Sequence, residues 1–456
     1  MGCCPRAGIF DTESAVKECD GNRKGRMMEE KRKNTMILYR NLRYQQLFDD
    51  MCSLLKPEEG GARPDAYACA SQLIDLAVTY GFRGNLWHCF LAFCMANNEN
   101  AYSTSCEIIG PVGGSLSELA RHDFAQVREL FSLDIACLDE TENGIWSEMK
   151  HYENALENSK AFNHRIRDRI VELSVSLEHA ESDQEFQDIV TEFYKEFGVG
   201  KFGLNKAFHI IMDEEAKQVD IEPITRVEHI KLNDLVGYEL QKAKLIENTE
   251  AFIEGRAANN CLLFGDSGTG KSSSIKAILN QYYDRGLRMI EVYKHQFRGL
   301  SDVLEQIKDR NYKFIIYMDD LSFEEYELEY KYLKAVIEGG LEKKPDNVLI
   351  YATSNRRNLV RERAADKLEI ADEDDLHSSD TVQEKLSLVY RFGVRIYFGK
   401  PDKKQFQEIV RTLAARYGVT MPEDELLLKA NQWELSHGGL TGRAAQQFID
   451  YLLGKE

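Results

Sequence analysis

The sequence lacks several features that would place the protein in a class at once. No apolar stretch approaches the roughly 20 residues that span a bilayer, and the start of the chain has no apolar core of a secretory signal. The ten cysteines include no C-x-x-C pair, which argues against a zinc site, and no H-E-x-x-H motif of a metalloprotease occurs. We therefore expect a cytoplasmic protein with reduced thiols and no membrane insertion.

An excess of positive charge is also lacking. The 58 Lys and Arg residues against 76 Asp and Glu residues give a net charge of −18. A broad electrostatic contact with DNA or an anionic membrane is therefore not the first expectation, although a local basic patch is compatible with this total. The length of 456 residues suits two or three domains, and 43% apolar with 29% charged residues is typical of a soluble globular protein.

The first half of the chain has a helical pattern. Residues 1–30 are polar and are expected to be disordered; Arg6 stands where a myristoylation signal has Ser or Thr, and Met27 or Met28 is an alternative start to Met1. Residues 31–220 repeatedly carry apolar residues at three- and four-residue steps. This spacing predicts a separate all-α N-terminal domain, for which the sequence indicates no chemistry.

The second half alternates between short apolar runs and helical segments. This alternation predicts an α/β domain over residues 221–400, with a parallel five-stranded sheet and helices on both faces. The predicted strands lie in CLLFG, RMIEVY, KFIIYMDD, NVLIYATSN and VRIYFG. Residues 361–385 are acidic and are expected to form a mobile surface loop, and residues 401–456 are expected to form a helical tail.

One loop of the second half fits a phosphate-binding motif at every fixed position. The apolar run from Cys261 leads into GDSGTGKS, which matches G-x-x-x-x-G-K-[ST]. In such a loop the backbone N–H groups wrap a phosphate, the lysine contacts the β- and γ-phosphates, and the hydroxyl contacts Mg²⁺. The motif predicts a bound nucleoside triphosphate. The predicted ligands are Gly265, Asp266, Ser267, Gly268, Thr269, Gly270, Lys271, Ser272 and Ser273.

Two carboxylates follow the third predicted strand. The run FIIYM ends in Asp319 and Asp320, the form of a Walker B strand. One carboxylate there would hold Mg²⁺ together with Ser272, and the next would polarise the attacking water. Two solvated acids capping a buried strand are the alternative. We predict Asp319 as a metal ligand and Asp320 as the catalytic carboxylate.

Three further polar residues follow the later strands. Asn355 ends the fourth strand, where its amide could orient water or could simply begin a turn. Arg391 precedes the fifth strand. The sequence around it is equally compatible with a structural ion pair and with an arginine finger that contacts the γ-phosphate in a neighbouring subunit. Arg443 stands at the start of a helix, where the helix dipole does not favour a cation, and this position favours a functional role over a solvated one.

Taken together, the chain resembles the AAA-plus ATPases. P-loop, Walker B, sensor-1 Asn355, R-F-G finger Arg391 and sensor-2 Arg443 occur in the family's order, and Val236 and Gly237 match its box beside the adenine pocket. More narrowly, FIIYMDDLSFEE, LKAVIEGGLEKKPDNVLIYATSNRRNL, EKLSLVYRFG and GGLTGRAAQQF resemble the bacterial family catalogued as domain of unknown function 815. This likeness covers at least 232–453.

The resemblance implies that the helical tail over residues 401–456 is a small lid. It also implies ATP hydrolysis with Mg²⁺ in an ATP-dependent homo-oligomer, ring or open. Asp320, Asn355, Arg391 and Arg443 would be catalytic, Arg391 in a neighbour's site, and the client would be a protein or nucleic acid of unknown identity. Many relatives have Asp-Glu where this chain has Asp-Asp, which implies slow turnover, and Tyr390 replaces a common Asp. A nucleotide-dependent scaffold with little hydrolysis and a small-molecule P-loop kinase are the alternatives.

Overall fold

The computed structural model describes residues 35–57, 63–139, 144–155, 162–213, 218–323, 327, 329–338, 344–355, 359 and 387–455. The segment 1–30 and the acidic loop 361–385 of the sequence predictions lie outside the described residues. The chain divides into two compact units, Met1–Gly200 and Lys201–Glu456. Across the described residues, no helix is long and apolar enough to cross a membrane.

The first unit is helical. Several of its helices begin where a short polar side chain accepts the free N–H groups of the first turn, as Asp65, Asn85 and Ser182 do. The third helix is the most buried, with every residue from Leu86 to Ala96 inside. The helices are α1 (Gln45–Leu55), α2 (Ala66–Tyr80), α3 (Leu86–Asn97), α4 (Ala101–Ile109), α5 (Ser115–Phe131), α6 (Ile145–Lys150), α7 (His164–Glu178) and α8 (Asp183–Phe197).

The second unit is built on a seven-stranded sheet in the order β2-β1-β4-β5-β6-β3-β7. All neighbouring strands are parallel except β1 and β2, which form an antiparallel pair. The strands are β1 (Ala207–Asp213), β2 (Gln218–Pro223), β3 (Cys261–Gly265), β4 (Leu287–Glu291), β5 (Lys313–Met318), β6 (Val348–Ser354) and β7 (Val394–Phe398). The five predicted strands are β3 to β7.

The sheet is therefore two strands wider than the predicted five. The hairpin β1–β2 extends it, since Phe208 pairs with Ile290 of β4 in parallel register. Its short apolar run directly follows the helical pattern of the first unit, and periodicity alone does not separate a short strand from a helix end. For the same reason the boundary between the compact units falls after Gly200, about twenty residues before the predicted one.

Helices cover both faces of the sheet, because successive residues of a strand point to opposite sides. Phe314 and Ile316 of β5 share one core with Val303, whereas Ile315 and Tyr317 share the other core with Ile275. The helices of this unit are α9 (Gly200–Leu204), α10 (Glu239–Ile253), α11 (Lys271–Tyr282), α12 (Leu300–Ile307), α13 (Glu329–Glu338), α14 (Lys403–Tyr417), α15 (Glu423–Ser436) and α16 (Gly442–Leu453).

The last three helices form a small body with its own core. Phe406, Val410, Ala430 and Phe448 are buried among one another there. Asp402 begins α14 with a reciprocal capping box, and Thr441 caps α16 by accepting the N–H of Ala444 at 3.0 Å. This body corresponds to the predicted lid over residues 401–456.

Side chains contact the backbone along both outer strands of the sheet. On β7 the carbonyl of Tyr397 accepts a hydrogen bond from Gln241 of α10 at 3.1 Å. On β2 the carbonyl of Val219 accepts one from Gln306 of α12 at 2.8 Å. Helices therefore occupy hydrogen-bonding positions that an outer strand would otherwise offer to another strand.

Candidate nucleotide-binding site

The P-loop connects the end of β3 to the start of α11. Gly265 has a φ of +133°, and a Cβ there would lie 2.2 Å from the carbonyl oxygen of Phe398, so only glycine fits. Gly270, with a φ of +90°, occupies the N-cap position of α11. The Thr269 hydroxyl donates to the carbonyl of Asp266 at 2.8 Å and closes the loop. The loop therefore leads directly into the N-terminus of α11, and the N-terminus of a helix is a favourable site for an anion.

Lys271 begins α11 and points back across the loop. Its Nζ donates to the carbonyl oxygens of Asp266 at 2.6 Å and Gly265 at 3.2 Å, and to Oδ1 of Asn355 at 3.0 Å. Burial lowers the pKa of Lys271, and the carboxylates of Asp266, Asp320 and Asp319 oppose that shift. Lys271 is only 6% exposed, and its ammonium lies between the P-loop and the end of β6.

Asp319 follows β5 and accepts two hydroxyl groups on one oxygen. Ser272 donates to Oδ1 at 2.7 Å, and Thr353 donates to the same atom at 2.5 Å. Removal of water from this carboxylate raises its pKa, but the hydrogen bonds from Thr353 and Ser272 outweigh that effect and the pKa is lowered. Asp319 is therefore held in its ionised form beside the hydroxyl of the P-loop.

Asp320 faces a different neighbour. Its backbone has a φ of +49°, in the left-handed region, so the chain turns sharply after β5. Its N–H donates to the Thr353 hydroxyl at 2.9 Å, and its Oδ1 accepts from Nδ2 of Asn355 at 2.8 Å. Asn355 thus contacts a carboxylate with its amide nitrogen and Lys271 with its amide oxygen. These contacts connect β5, β6 and α11 at one end of the sheet.

The donor set fits Mg²⁺ held jointly with phosphate. Ser272 and Asp319 supply two oxygen ligands within hydrogen-bond distance of each other. Within the described ranges, no group of three or more His, Cys, Asp or Glu residues could hold a metal by itself. Mg²⁺ is commonly bound through one or two protein oxygens, with waters and substrate phosphates completing its shell, and that is the arrangement these residues allow.

A cavity of about 1070 Å³ opens over the P-loop. The end at the P-loop is polar, and the far end is bounded by apolar side chains of the segment before α10 and of α14. The lining includes Val236, Tyr238, Ser267, Gly268, Thr269, Gly270, Lys271, Ser272, Ser273, Asp319, Asp320, Thr353, Asn355, Ile409, Leu413, Arg416, Tyr417 and Arg443. The cavity therefore offers a polar end for phosphates and an apolar end for a base.

Most of the residues predicted from sequence meet at this cavity. Gly237, Gly265 and Asp266 are not among its lining residues; Gly265 and Asp266 shape the loop from behind, since the Asp266 carboxylate accepts the N–H of Lys400 at 3.1 Å. Arg391 lies in the turn before β7, away from the cavity of its own chain. Arg443 reaches the cavity from the lid, and its N–H donates to the carbonyl of Gly268 at 3.3 Å.

The sequence interpretation missed part of the site. Thr353 lies between the two carboxylates, and its only sequence signal was its position two residues before Asn355 at a strand end. The apolar wall from α14, with Ile409 and Leu413, was visible only as the ordinary stripe of an amphipathic helix. Such a stripe does not indicate that two of its residues face a cavity.

Comparison with known proteins gives a family model and a number of solved structures that match part of the chain. The family model described as "Protein of unknown function (DUF815)" matches residues 205–456, which is more than half of the chain. The chain is similar to the FIGL-1 AAA domain in complex with ADP, at 16% identity and a TM-score of 0.35 over 50% of this chain and 75% of that one. It is also similar to C. elegans PCH-2, at 18% identity and a TM-score of 0.35 over 49% and 65% of the respective chains. No curated protein matches.

Proposed function

The chain belongs to the DUF815 family, and from that premise we propose that it is a Mg²⁺-dependent AAA-plus ATPase. It binds ATP at the P-loop and hydrolyses it to ADP and phosphate. The observation that carries the proposal is the unbroken set of contacts from Ser272 through Asp319 and Thr353, and from Asp320 through Asn355 to Lys271. One end of the sheet thus holds two hydroxyls, an ammonium, an amide and two carboxylates together.

Each group has a task in the proposed reaction. The P-loop N–H groups and Lys271 stabilise negative charge on the β- and γ-phosphates. Mg²⁺, held by Ser272 and Asp319, would neutralise charge on the phosphate oxygens. Asp320 accepts the proton of the attacking water, and Asn355 orients that water through its amide.

The lid and a second subunit complete the proposed cycle. Arg443 lines the cavity from the lid and would contact the γ-phosphate, so lid position would depend on which nucleotide is bound. Arg391, which lies away from its own cavity, would enter the site of a neighbouring copy in an ATP-dependent homo-oligomer. The resulting movement would remodel or load a protein or nucleic-acid client.

A cytoplasmic location is part of the proposal. The seven cysteines of the described residues are all free thiols, five of them buried. Free thiols in such number suit a reducing compartment, which is also where ATP is abundant.

The surroundings of Asp320 favour a second candidate, a nucleotide-dependent binding module with little hydrolysis. An aspartate is one methylene shorter than the glutamate common at this position, and its Oδ1 already accepts the amide of Asn355. Both effects would slow proton transfer from water. In this case ATP would act mainly as a switch that changes partner affinity.

Binding and turnover separate the two candidates. We expect the wild-type chain to bind a fluorescent ATP analogue with Mg²⁺ and to release phosphate, and Lys271→Ala to lose binding by roughly 10²-fold or more, because a charge-assisted contact to phosphate is removed. Lys403→Ala, which changes an exposed lysine of the lid, is the control. Nucleotide binding without phosphate release would favour the second candidate, the binding module with little hydrolysis. An ATP affinity of Lys271→Ala equal to that of the wild type would contradict the assignment of the site.

A further inference from the structure

Thr353 makes an unusual set of contacts for a buried strand residue. It lies near the end of β6 with 2% of its surface exposed. Its hydroxyl donates to Oδ1 of Asp319 at 2.5 Å and accepts the N–H of Asp320 at 2.9 Å, and its carbonyl accepts the N–H of Leu321 at 2.7 Å. A hydroxyl has one proton to donate. The Thr353 hydroxyl therefore donates its proton to the Asp319 carboxylate and accepts the backbone N–H of Asp320, so it contacts both residues that carry the carboxylates.

The turn after β5 explains why a hydroxyl is needed there. The parallel ladder between β5 and β6 ends with Met318 opposite Ala352. At Asp320 the backbone enters the left-handed region with a φ of +49°, a conformation that costs a residue with a side chain about 1 kcal/mol. The Asp320 N–H is then bonded by the Thr353 side chain instead of by a strand carbonyl, so this contact helps to hold the turn.

The turn at Asp320 also determines the direction in which both carboxylates point. Asp319 is left facing Ser272 of the P-loop at 2.7 Å. Asp320 is directed to Asn355, whose other amide atom accepts from Lys271. A residue that only completed the pairing of β5 with β6 would form its hydrogen bonds through its backbone. The Thr353 side chain instead lies between the proposed metal ligand and the proposed catalytic carboxylate.

We propose that Thr353 is a positioning residue that orients the carboxylates of Asp319 and Asp320 for Mg²⁺ binding and for water activation. This inference rests on the proposed function and deepens it. The hydroxyl fixes the Asp319 oxygen toward the metal position and holds the backbone turn that lets the shorter Asp320 reach Asn355. In this proposal Thr353 acts through the two aspartates that its hydroxyl contacts.

The test compares Thr353→Val with Thr353→Ser. Valine keeps the shape and removes the hydroxyl, whereas serine keeps the hydroxyl. Loss of a residue that orients a metal ligand typically weakens metal affinity by about 10- to 100-fold. We therefore expect the Mg²⁺ concentration for half-maximal binding of a fluorescent ATP analogue to rise about tenfold or more in Thr353→Val, and serine to restore it to within about threefold of wild type.

Two further readouts distinguish positioning from loss of stability. Binding of the analogue in EDTA should be unchanged in Thr353→Val, since the P-loop is intact. At saturating Mg²⁺ its kcat should fall while the KM for ATP is nearly kept, because the interaction lost is one made in the transition state. Thr249→Val is the matched control: Thr249 is also fully buried, and its hydroxyl bonds Leu245 and Tyr351 in α10 and β6 instead of the site.

The outcomes are separable. If Thr353→Val and Thr249→Val have the same Mg²⁺ midpoint and the same kcat, the inference is overturned while the proposed function stands. If the wild-type chain binds no nucleotide, both are overturned together. Should the valine variant not fold, as judged by thermal unfolding, Thr353→Ala against Thr353→Ser makes the same comparison, and equal Mg²⁺ midpoints in that pair overturn the inference.

Discussion

Asp319 and Asp320 are adjacent in sequence but have different contacts. Asp319 accepts the hydroxyls of Ser272 and Thr353, whereas Asp320 accepts the amide of Asn355. The difference arises from the left-handed turn at Asp320, which sends consecutive side chains to different neighbours. At the scale of single residues, the two carboxylates should therefore respond differently to the same substitution.

We expect Asp320→Asn to bind ATP and Mg²⁺ nearly as wild type but to lose turnover by about 10²-fold or more, because an amide cannot accept the proton of the attacking water. Asp319→Asn should instead raise the Mg²⁺ concentration needed for ATP binding by about tenfold or more. Each variant is checked by Mg²⁺-dependent binding and by phosphate release. Reversed phenotypes would mean that the two roles have been exchanged.

The sequence predicted this pair and most of the site because the P-loop and the strand ends fix chemistry at known spacings. Lys271, Ser272, Asp319, Asp320 and Asn355 come together as expected from parallel strands ending at one edge. The left-handed turn was not predictable, since the N–H at the turn is bonded by the Thr353 hydroxyl of the adjacent strand. Asp320 and Thr353 are 33 residues apart in the sequence, so their contact produces no local sequence pattern.

At the scale of elements, the start of α16 packs directly on the P-loop. A Cβ at Gly268, which has a φ of +73°, would lie 3.2 Å from the Cβ of Arg443 and 3.3 Å from that of Thr441. The N–H of Arg443 also bonds the Gly268 carbonyl. Lid and P-loop thus meet through a glycine, and a larger residue there would move one against the other.

Gly268→Ala should weaken ATP binding by roughly tenfold or more, because small displacements of positioning groups are costly. Gly418→Ala is a matched control: Gly418 has a φ of +71°, and a Cβ there would meet nothing within 4 Å, so the substitution should lower stability by about 1 kcal/mol and leave affinity unchanged. Titration of a fluorescent ATP analogue and urea unfolding measure the two effects. Equal affinity losses in both variants would show that backbone strain, and not the lid contact, is responsible.

The sequence predicted some strands of the sheet and missed others. β3 to β7 were found because each combines a short apolar run with a boundary of turn residues. The hairpin β1–β2 was missed, although its strands pair over six residue positions and β2 is polar at alternate positions, because strand β1 directly follows a helical region. Its place in the sheet is decided by pairing with β4, which is about eighty residues away along the chain.

At the scale of the whole molecule, the proposed mechanism would use an arginine from a second copy. Arg391 does not line the cavity of its own chain. An arginine that enters a neighbouring site stabilises charge in the transition state and can raise the rate by about 10³-fold or more. Activity should then depend on assembly.

We expect specific activity to rise with protein concentration and Arg391→Ala to lose turnover with ATP affinity nearly kept. Mixing Arg391→Ala with Lys271→Ala subunits should restore some activity, because an intact P-loop in one subunit can meet an intact arginine from the other. Light scattering with and without ATP measures the assembly. A monomer under ATP with activity independent of concentration would leave Arg391 a structural residue.

The helices that contact both outer strands of the sheet also bear on what such copies can do to one another. A strand with open N–H and C=O groups recruits any extended chain, including a misfolded one, and this is a common route to aggregation. Here Gln241 and Gln306 already occupy carbonyls of β7 and β2. In the proposed homo-oligomer, these contacts would lower the risk that neighbouring copies pair through their outer strands and aggregate irreversibly.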